Sequence, residues 1–325
     1  MKYTQNRQRI FISSINEAKI ENAKRLIESS EIYYHERVGK VVELATGEQK
    51  NIIMLTGPSS SGKTTTAILI VNQFEQLRKK ARRISLDNFY KNNKDIPFWE
   101  DGTKNFETFE AFDLDLFKST MDTLLAKGEA EFPIYDFSTG PGHRLDVTFN
   151  VTYDEDTFLI FEGIHALNPV FMDILNSSNV LRLYISPHTD FVDDNDNIIL
   201  AADDLRLIRR TLRDNSDRST PPEMTMDLWN KVLRGEKEYI KPFKHSADVH
   251  VNSTHYYEPL VYKKPIISLL KNVKHSMYQE KVEQLISAMK LFESVPAHMI
   301  PPTSLLIEFV SEAHYSGKPA EPSQG

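Results

Sequence analysis

The stretch "GPSSSGKTT" at residues 57–65 decides the fold of this 325-residue chain. It matches the pattern G-x-x-x-x-G-K-[ST], and it lies between the apolar run "NIIMLT" and a helical segment. In that setting the glycines let the backbone turn tightly, so that successive N–H groups and the helix dipole converge on one point. We therefore expect a loop that holds the phosphate chain of a nucleotide.

The side chains of this loop have separate expected roles. Lys63 is placed to reach the β and γ phosphates, and the Thr64 hydroxyl is a candidate ligand of Mg²⁺. The candidate nucleotide-binding residues are Gly57, Pro58, Ser59, Ser60, Ser61, Gly62, Lys63, Thr64 and Thr65.

The chain beyond this loop alternates apolar runs with helical segments, which is typical of a mostly parallel sheet flanked by helices. The predicted fold class is therefore α/β, with one or two further helices in residues 15–46. The predicted strands are 51–56, 82–86, 157–161, 180–186 and 247–251. The predicted helices lie near 63–79, 112–127, 168–176, 203–214, 224–234 and 276–293. The polar tail at 314–325 is expected to be disordered.

Composition excludes several kinds of protein. The chain has no cysteine, which rules out a disulfide framework, thiolate zinc sites and a cysteine nucleophile. Its net charge of −7 disfavours a nucleic-acid partner. No window approaches the roughly 18 apolar residues needed to cross a bilayer, so no membrane partner is expected. We expect a cytoplasmic protein that binds a small molecule.

Two acids stand directly after predicted strands. Ligands of open α/β sheets bind beyond the carboxyl ends of the strands, so each acid is a candidate site residue. Asp87 follows "RRISL" and is a candidate base for an acceptor hydroxyl. Glu162 follows "FLIF" and is a candidate for the Mg²⁺ shell near Thr64. The alternative for both is a carboxylate that caps the next helix.

Four arginines recur on one predicted helix. Arg206, Arg209, Arg210 and Arg213 fall at i, i+3, i+4 and i+7, and Arg218 follows. Like charges at this spacing repel, so an anion such as phosphate is expected to face some of them. The alternative is a solvated face that neighbouring aspartates neutralise.

These motifs together resemble a known family. The stretches "GPSSSGKTT", "SLDNFY", "NFETFEAFDLDLF", "FPIYDF", "IFEGI" and "DLRLIRRTLRDNSDRS" occur in order. The combination resembles the uridine/cytidine kinases of the phosphoribulokinase and uridine kinase group, particularly their longer bacterial members. The resemblance implies a P-loop kinase fold with an arginine-bearing lid, and ATP with Mg²⁺ as cofactors. It implies phosphorylation of the 5′-hydroxyl of a pyrimidine ribonucleoside.

Roles carry over from the resemblance by position. Asp87 becomes the catalytic base, with Lys63, Arg210, Arg213 and Arg218 as the phosphate-binding cations. The implied substrate residues are Glu107, Tyr135, Phe137, His143 and Arg144.

The chain departs from the family pattern around the substrate. Glu107 replaces an aspartate, and Thr108-Phe109 replaces a His-Pro pair. His143 stands six residues beyond "YDF" instead of three, and Thr220 replaces a common lid arginine. The acceptor is therefore less defined than the reaction. The alternatives are a kinase of another alcohol, like phosphoribulokinase or pantothenate kinase, a nucleotide-hydrolysing switch, or an inactive regulator.

The predicted organisation has three parts. An N-terminal helical extension spans 1–46, a P-loop kinase domain spans 47–275, and a C-terminal helix with a partly disordered tail spans 276–325. Apolar helical faces in the two extensions make a homo-oligomer one expectation.

Overall fold

The computed structural model describes residues 7–137, 142–175 and 179–310, so the tail expected to be disordered lies outside the described residues. Within those ranges no helix combines the length and the apolar character needed to cross a bilayer. The strands are β1 Gln8–Phe11, β2 Ile52–Thr56, β3 Lys80–Ser85, β4 Glu129–Asp136, β5 His143–Thr152, β6 Thr157–Glu162, β7 Val180–Ser186, β8 Thr189–Val192, β9 Ile198–Leu200 and β10 Val249–Asn252. The α-helices are α1 Ile12–Gly47, α2 Lys63–Gln76, α3 Leu114–Lys127, α4 Pro169–Leu175, α5 Ala202–Asp217, α6 Pro222–Gly235, α7 Glu258–Leu270 and α8 Gln279–Lys290.

A five-stranded parallel sheet forms the centre of the molecule. Its strand order is β10-β7-β2-β6-β3, so β2 lies in the middle with two strands on each side. The chain fills one side of β2 with β3 and β6 before it fills the other with β7 and β10. The strand order thus reverses at β2, and ligands of such sheets bind at that switch point beyond the carboxyl ends.

Strand β2 is apolar from Ile52 to Leu55 because both faces of the sheet are covered. Ile53 and Leu55 point into one core, which includes side chains of α1, α2, α5, α7 and α8. Ile52 and Met54 point into the other, which includes side chains of α3 and α4. A strand buried on both faces needs apolar residues at every position, which explains the continuous run. These features confirm the predicted α/β class.

Several elements were not expected from the sequence. Helix α7 contains Pro259 at its start and Pro265 inside, and proline ordinarily ends a helical pattern. The antiparallel hairpin β4–β5 was missed because most side chains of β5 are exposed and give no apolar pattern. The small sheet β1-β8-β9 consists of strands of three or four residues, too short for a period-two signal.

Both ends of the described chain belong to the same core as the sheet. Val38 of α1, Leu285 of α8 and Leu305 are buried together with Ile53 of β2. Helix α1 is interrupted at Asn22, where the backbone leaves helical geometry. The three-part division at 46/47 and 275/276 stays a prediction.

A buried ion pair joins α5 to α7. The Arg209 guanidinium donates to Glu258 through Nε at 2.7 Å and through Nη2 at 2.9 Å. Both side chains are fully buried. The Glu258 carboxylate also accepts a bond from the His255 backbone N–H at 2.9 Å, so its oxygens are well satisfied.

We predict that Glu258→Gln destabilises the protein by about 3 to 5 kcal/mol, because it leaves the buried Arg209 cation without its counter-charge. Urea unfolding followed by circular dichroism measures this change. Asp122→Asn is the matched control, since it disrupts the exposed pair with Lys118 and should leave the midpoint unchanged. An unaltered midpoint for Glu258→Gln would show that the pair does not hold α5 in place.

Candidate active site

A cleft of about 800 Å³ opens at the carboxyl ends of the central strands. The phosphate loop between β2 and α2 forms its floor. Side chains from the ends of β3 and β6, from α5 and from the segment after α8 form its walls. The cleft therefore lies at the switch point that the strand order predicts.

The backbone of the phosphate loop turns tightly after β2. At Gly57 a Cβ atom would lie 2.1 Å from the Ile185 carbonyl oxygen, so the loop can cross β7 only with glycine there. Lys63 folds back over the loop and donates to the carbonyls of Gly57 at 3.0 Å and Pro58 at 3.2 Å. Burial lowers the pKa of Lys63, and the nearby Glu162 and Asp87 carboxylates oppose that effect.

Most of the predicted loop residues reach the cleft. Those that line it are Ser59, Ser60, Ser61, Gly62, Lys63 and Thr64. Gly57 instead packs against β7, and Pro58 borders a smaller cavity behind the loop. Thr65 donates through its hydroxyl to Glu308 at 2.8 Å.

Glu162 and Thr64 meet at the edge of the cleft. The Thr64 hydroxyl is 3.5 Å from Glu162 Oε1, and Arg83 Nη1 donates to the same oxygen at 3.0 Å. Burial, reinforced by Asp87, raises the pKa of Glu162 to about 7. A hydroxyl and a carboxylate are hard oxygen ligands of the kind that Mg²⁺ takes, so the donor set fits this metal.

Asp87 lies at the end of β3 and lines the cleft. The local helical turn is capped by Ser85, whose hydroxyl accepts a bond from the Asp87 backbone N–H at 3.3 Å. The Asp87 carboxyl is therefore not needed as the cap. Burial raises the pKa of Asp87, while Lys63, Arg218 and Arg83 pull it down. A carboxylate in this setting is a candidate proton acceptor.

Two arginines of α5, Arg206 and Arg209, contact the phosphate loop from behind. Arg206 is buried, and its guanidinium pairs with Glu236, with Nη2 to Oε2 at 2.6 Å. It also donates through Nε to the Ser59 carbonyl at 3.1 Å. Arg209 pairs with Glu258 and donates to the Ser60 carbonyl at 3.4 Å. These two arginines tie the helix to the back of the loop.

Arg210 and Arg213 of α5, and Arg218 directly after the helix, line the cleft and contact the same acidic side chain. Asp214 is buried, and its carboxylate is 3.1 Å from Arg210 Nε, 3.0 Å from Arg213 Nη2 and 3.4 Å from Arg218 Nη1. Arg210 also donates through Nη1 to the Ser59 hydroxyl at 2.8 Å. The three guanidinium groups lie together on one wall of the cleft, and guanidinium groups match the geometry of phosphate, so this wall is suited to an anion.

The predicted substrate residues lie at two distances from the cleft. Glu107 and Phe137 line it. Burial raises the pKa of Glu107 to about 7, opposed by Arg210. Tyr135 lies one layer back, with its ring centroid 4.5 Å from that of Phe137 and 5.8 Å from that of Tyr90.

His143 and Arg144 do not line the cleft. His143 is exposed at the start of β5. Arg144 pairs with Asp113 at 3.0 Å and donates to the Tyr90 carbonyl at 3.1 Å, so it braces the turn before α3. Both residues lie on β5 of the hairpin β4–β5, which the sequence did not predict.

Sequence reasoning missed several residues of the site, and Glu308 and Asp214 are the two with the most polar contacts there. Glu308 lines the cleft from a C-terminal segment, and only the short apolar stretch around it hinted at structure there. Asp214 was treated as a neutralising neighbour, whereas it is the shared partner of three cleft arginines. Its spacing of four residues from both Arg210 and Arg218 was a usable signal.

In the unaltered protein the free energy of unfolding should fall as the pH rises from about 4.5 to about 7, and Glu162→Gln should remove this fall. In this window the native Glu162, whose pKa is about 7, keeps a proton that an unfolded glutamate with a pKa near 4.5 has released. Stability therefore falls with rising pH in the unaltered protein, by an amount on the order of 3 kcal/mol for this group. Urea titrations at pH 5 and pH 8 measure the effect. Glu155→Gln, on the surface, is the control, and equal pH dependence in all three proteins would refute the assignment.

A family model described as "Phosphoribulokinase / Uridine kinase family" matches residues 52–257, which is more than half of the chain. A protein named uridine kinase from Clostridium botulinum is 30% identical over 200 residues, covering 61% of this chain and 85% of the relative. One of the same name from Halobacterium salinarum is 28% identical over 198 residues, covering 61% and 77%.

Solved structures that resemble the chain in part include the following two. A possible uridine kinase from Bacillus stearothermophilus has a TM-score of 0.44 and 16% identity, covering 66% of this chain and 97% of that one. The phosphoribulokinase from Rhodobacter spheroides has a TM-score of 0.37 and 18% identity, covering 62% and 70%. The family model, whose matched range contains the phosphate loop, Asp87, Glu162 and the arginine helix, decides the assignment: the chain belongs to the phosphoribulokinase and uridine kinase family.

Proposed function

We propose that the protein transfers the γ-phosphoryl group of ATP to the 5′-hydroxyl of a pyrimidine ribonucleoside. Family membership supports a kinase, and the relatives named uridine kinase support a nucleoside acceptor. The observation that carries the proposal is the convergence of a phosphate loop, a half-buried carboxyl group at Asp87 and an arginine wall on one cleft.

The phosphate end of the cleft is built from fixed positive groups. The loop N–H groups and the N-terminus of α2 would hold the phosphate chain, with Lys63 at the β and γ phosphates. Arg210, Arg213 and Arg218 would balance the charge that spreads over the transferring phosphoryl group. Because Asp214 and the Ser59 hydroxyl already hold these side chains, little reorganisation is needed when the reaction begins.

Thr64 and Glu162 are the proposed holders of Mg²⁺. When bound, the metal would neutralise part of the charge of the phosphate chain. Arg83, which contacts the same Glu162 oxygen, restrains the orientation of the carboxylate. Glu162 binds the metal in its ionised form, so its raised pKa makes metal affinity increase with pH toward and beyond 7.

Asp87 is the proposed base. Its carboxylate would accept the proton of the acceptor hydroxyl as the oxygen attacks the γ-phosphorus. Burial raises the pKa of Asp87 above the ordinary value for aspartate, which makes it a better proton acceptor than an exposed carboxylate. Lys63 and Arg218 oppose this rise in the pKa of Asp87 and so favour the ionised carboxylate that a base requires.

Glu107 and Phe137 define the proposed acceptor end. The Glu107 carboxylate would accept hydrogen bonds from ribose hydroxyls, and the Phe137 ring, which packs edge-on to Tyr90 at 5.8 Å, would contact the base. His143 and Arg144 lie outside the cleft, so the base has fewer polar partners than the resemblance implies. This leaves kinases of other small alcohols as the second candidate.

The deciding experiment measures ADP release from MgATP with single acceptors and identifies each product by mass spectrometry. Uridine, cytidine, other nucleosides, pantothenate and ribulose 5-phosphate are the acceptors. Release that depends on uridine or cytidine, with a product heavier by one phosphate, supports the proposal. Release with only another alcohol supports the second candidate. Acceptor-independent release would point to a hydrolytic switch, and nucleotide binding without release to an inactive regulator.

Asp87→Asn should lower kcat by roughly 10²- to 10⁴-fold, because it removes the proton acceptor and keeps the shape of the side chain. Nucleotide affinity should persist, which calorimetry with MgADP measures. Lys63→Ala is the counterpart and should lose nucleotide affinity itself. Asp115→Asn, on the surface of α3, is the control for both. Near-normal turnover of Asp87→Asn would remove Asp87 from the role of base.

A further inference from the structure

The short turn Leu305–Glu308 lies directly against the phosphate loop. Gly62 has a φ of +87°, and a Cβ atom there would lie 2.4 Å from Leu305 Cδ1. Leu305 is buried at this contact. The turn lies beyond residues 52–257, the range that the family model matches. A part of the chain outside the shared kinase range therefore touches the nucleotide loop.

The turn is fixed at both ends. The Ser304 hydroxyl before it donates to Glu31 of α1 at 2.7 Å. The Phe309 ring after it lies 4.9 Å from the Arg209 guanidinium. Glu308 sits between these anchors, lines the cleft and accepts the bond from the Thr65 hydroxyl at 2.8 Å.

Glu308 occupies a position that also attracts phosphate. Thr65 belongs to the first turn of α2, and the positive end of the helix dipole stabilises a carboxylate there. Glu308 also raises the pKa of Lys63 from across the cleft, although burial keeps that pKa lowered on balance. The phosphate chain of a nucleotide would be drawn to these same groups, and it would be repelled by the Glu308 charge.

We propose that Glu308 is a carboxylate gate on the nucleotide site. In the empty site it neutralises part of the loop and holds the Thr65 hydroxyl, and a nucleotide must displace it to bind. The turn Leu305–Glu308 therefore sets nucleotide affinity from outside the shared kinase range. The proposal rests on the proposed function only in requiring that the loop binds a nucleotide.

Glu308→Gln tests the gate, because glutamine keeps the shape and the hydrogen-bonding oxygen but removes the charge. Isothermal calorimetry at low salt should give MgADP and MgATP affinities about two- to five-fold tighter than those of the unaltered protein. The difference should shrink as salt is raised. Glu283→Gln, on the exposed face of α8, is the matched control and should bind like the unaltered protein. Unchanged or weaker binding by Glu308→Gln would overturn the gate.

Hydrogen exchange on the unaltered protein gives a second test that needs no variant. The Ile307 and Phe309 amides bond to the carbonyls of Ser304 at 3.2 Å and Leu306 at 2.9 Å. The gate predicts faster exchange of these amides with MgADP, and equal or slower exchange would overturn it. If the unaltered protein binds no nucleotide, the gate and the proposed function both fall. If it binds nucleotide but the turn does not respond, only the gate falls.

Discussion

Two buried guanidinium groups tie helix α5 to the phosphate loop, and the cleft depends on that connection. Arg206 and Arg209 donate to the carbonyls of Ser59 and Ser60, and Glu236 and Glu258 compensate their charges. Carbonyls that face backward leave the N–H groups of the loop free to face forward. The same helix then presents its next arginines to the cleft. One element thus supports the loop from behind and supplies cations in front.

Three acidic side chains line the cleft in surroundings that disfavour their ionised forms. Glu162 is buried, Asp87 and Glu107 are half-buried, and loss of contact with water raises the pKa of each. Lys63 and Arg210 offset this only in part. Such concentrations of desolvated charge destabilise a fold, and they are typical of sites where a bound cation or a proton transfer later relieves the conflict.

Site residues that directly follow a central strand could be predicted from the sequence. Site residues that are held in place by contacts with residues far away in the sequence could not. The positions of Asp87 and Glu162 in the site follow from the rule that ligands bind at the carboxyl ends of parallel strands. Each acid is placed by the strand beside it in the sequence, β3 for Asp87 and β6 for Glu162. Which arginines of α5 face the cleft was only partly predictable. Arg206 and Arg209 instead form ion pairs with acids that lie 30 and 49 residues away in the sequence. Glu308 reaches Thr65 across 243 residues, and no local pattern encodes such a contact.

The contacts around Ser304 bear on how the protein is made. The Ser304 hydroxyl joins Glu31 across 273 residues, and Leu305 completes the packing around Gly62. During synthesis the loop emerges well before these neighbours, since the contact between Thr65 and Glu308 spans 243 residues. Contacts between residues this distant in sequence form late in folding, because a long loop must close, at a cost in chain entropy, before the contact can stabilise the chain. The nascent chain therefore holds an unfinished nucleotide site on the ribosome until residues 304–309 have left the exit tunnel.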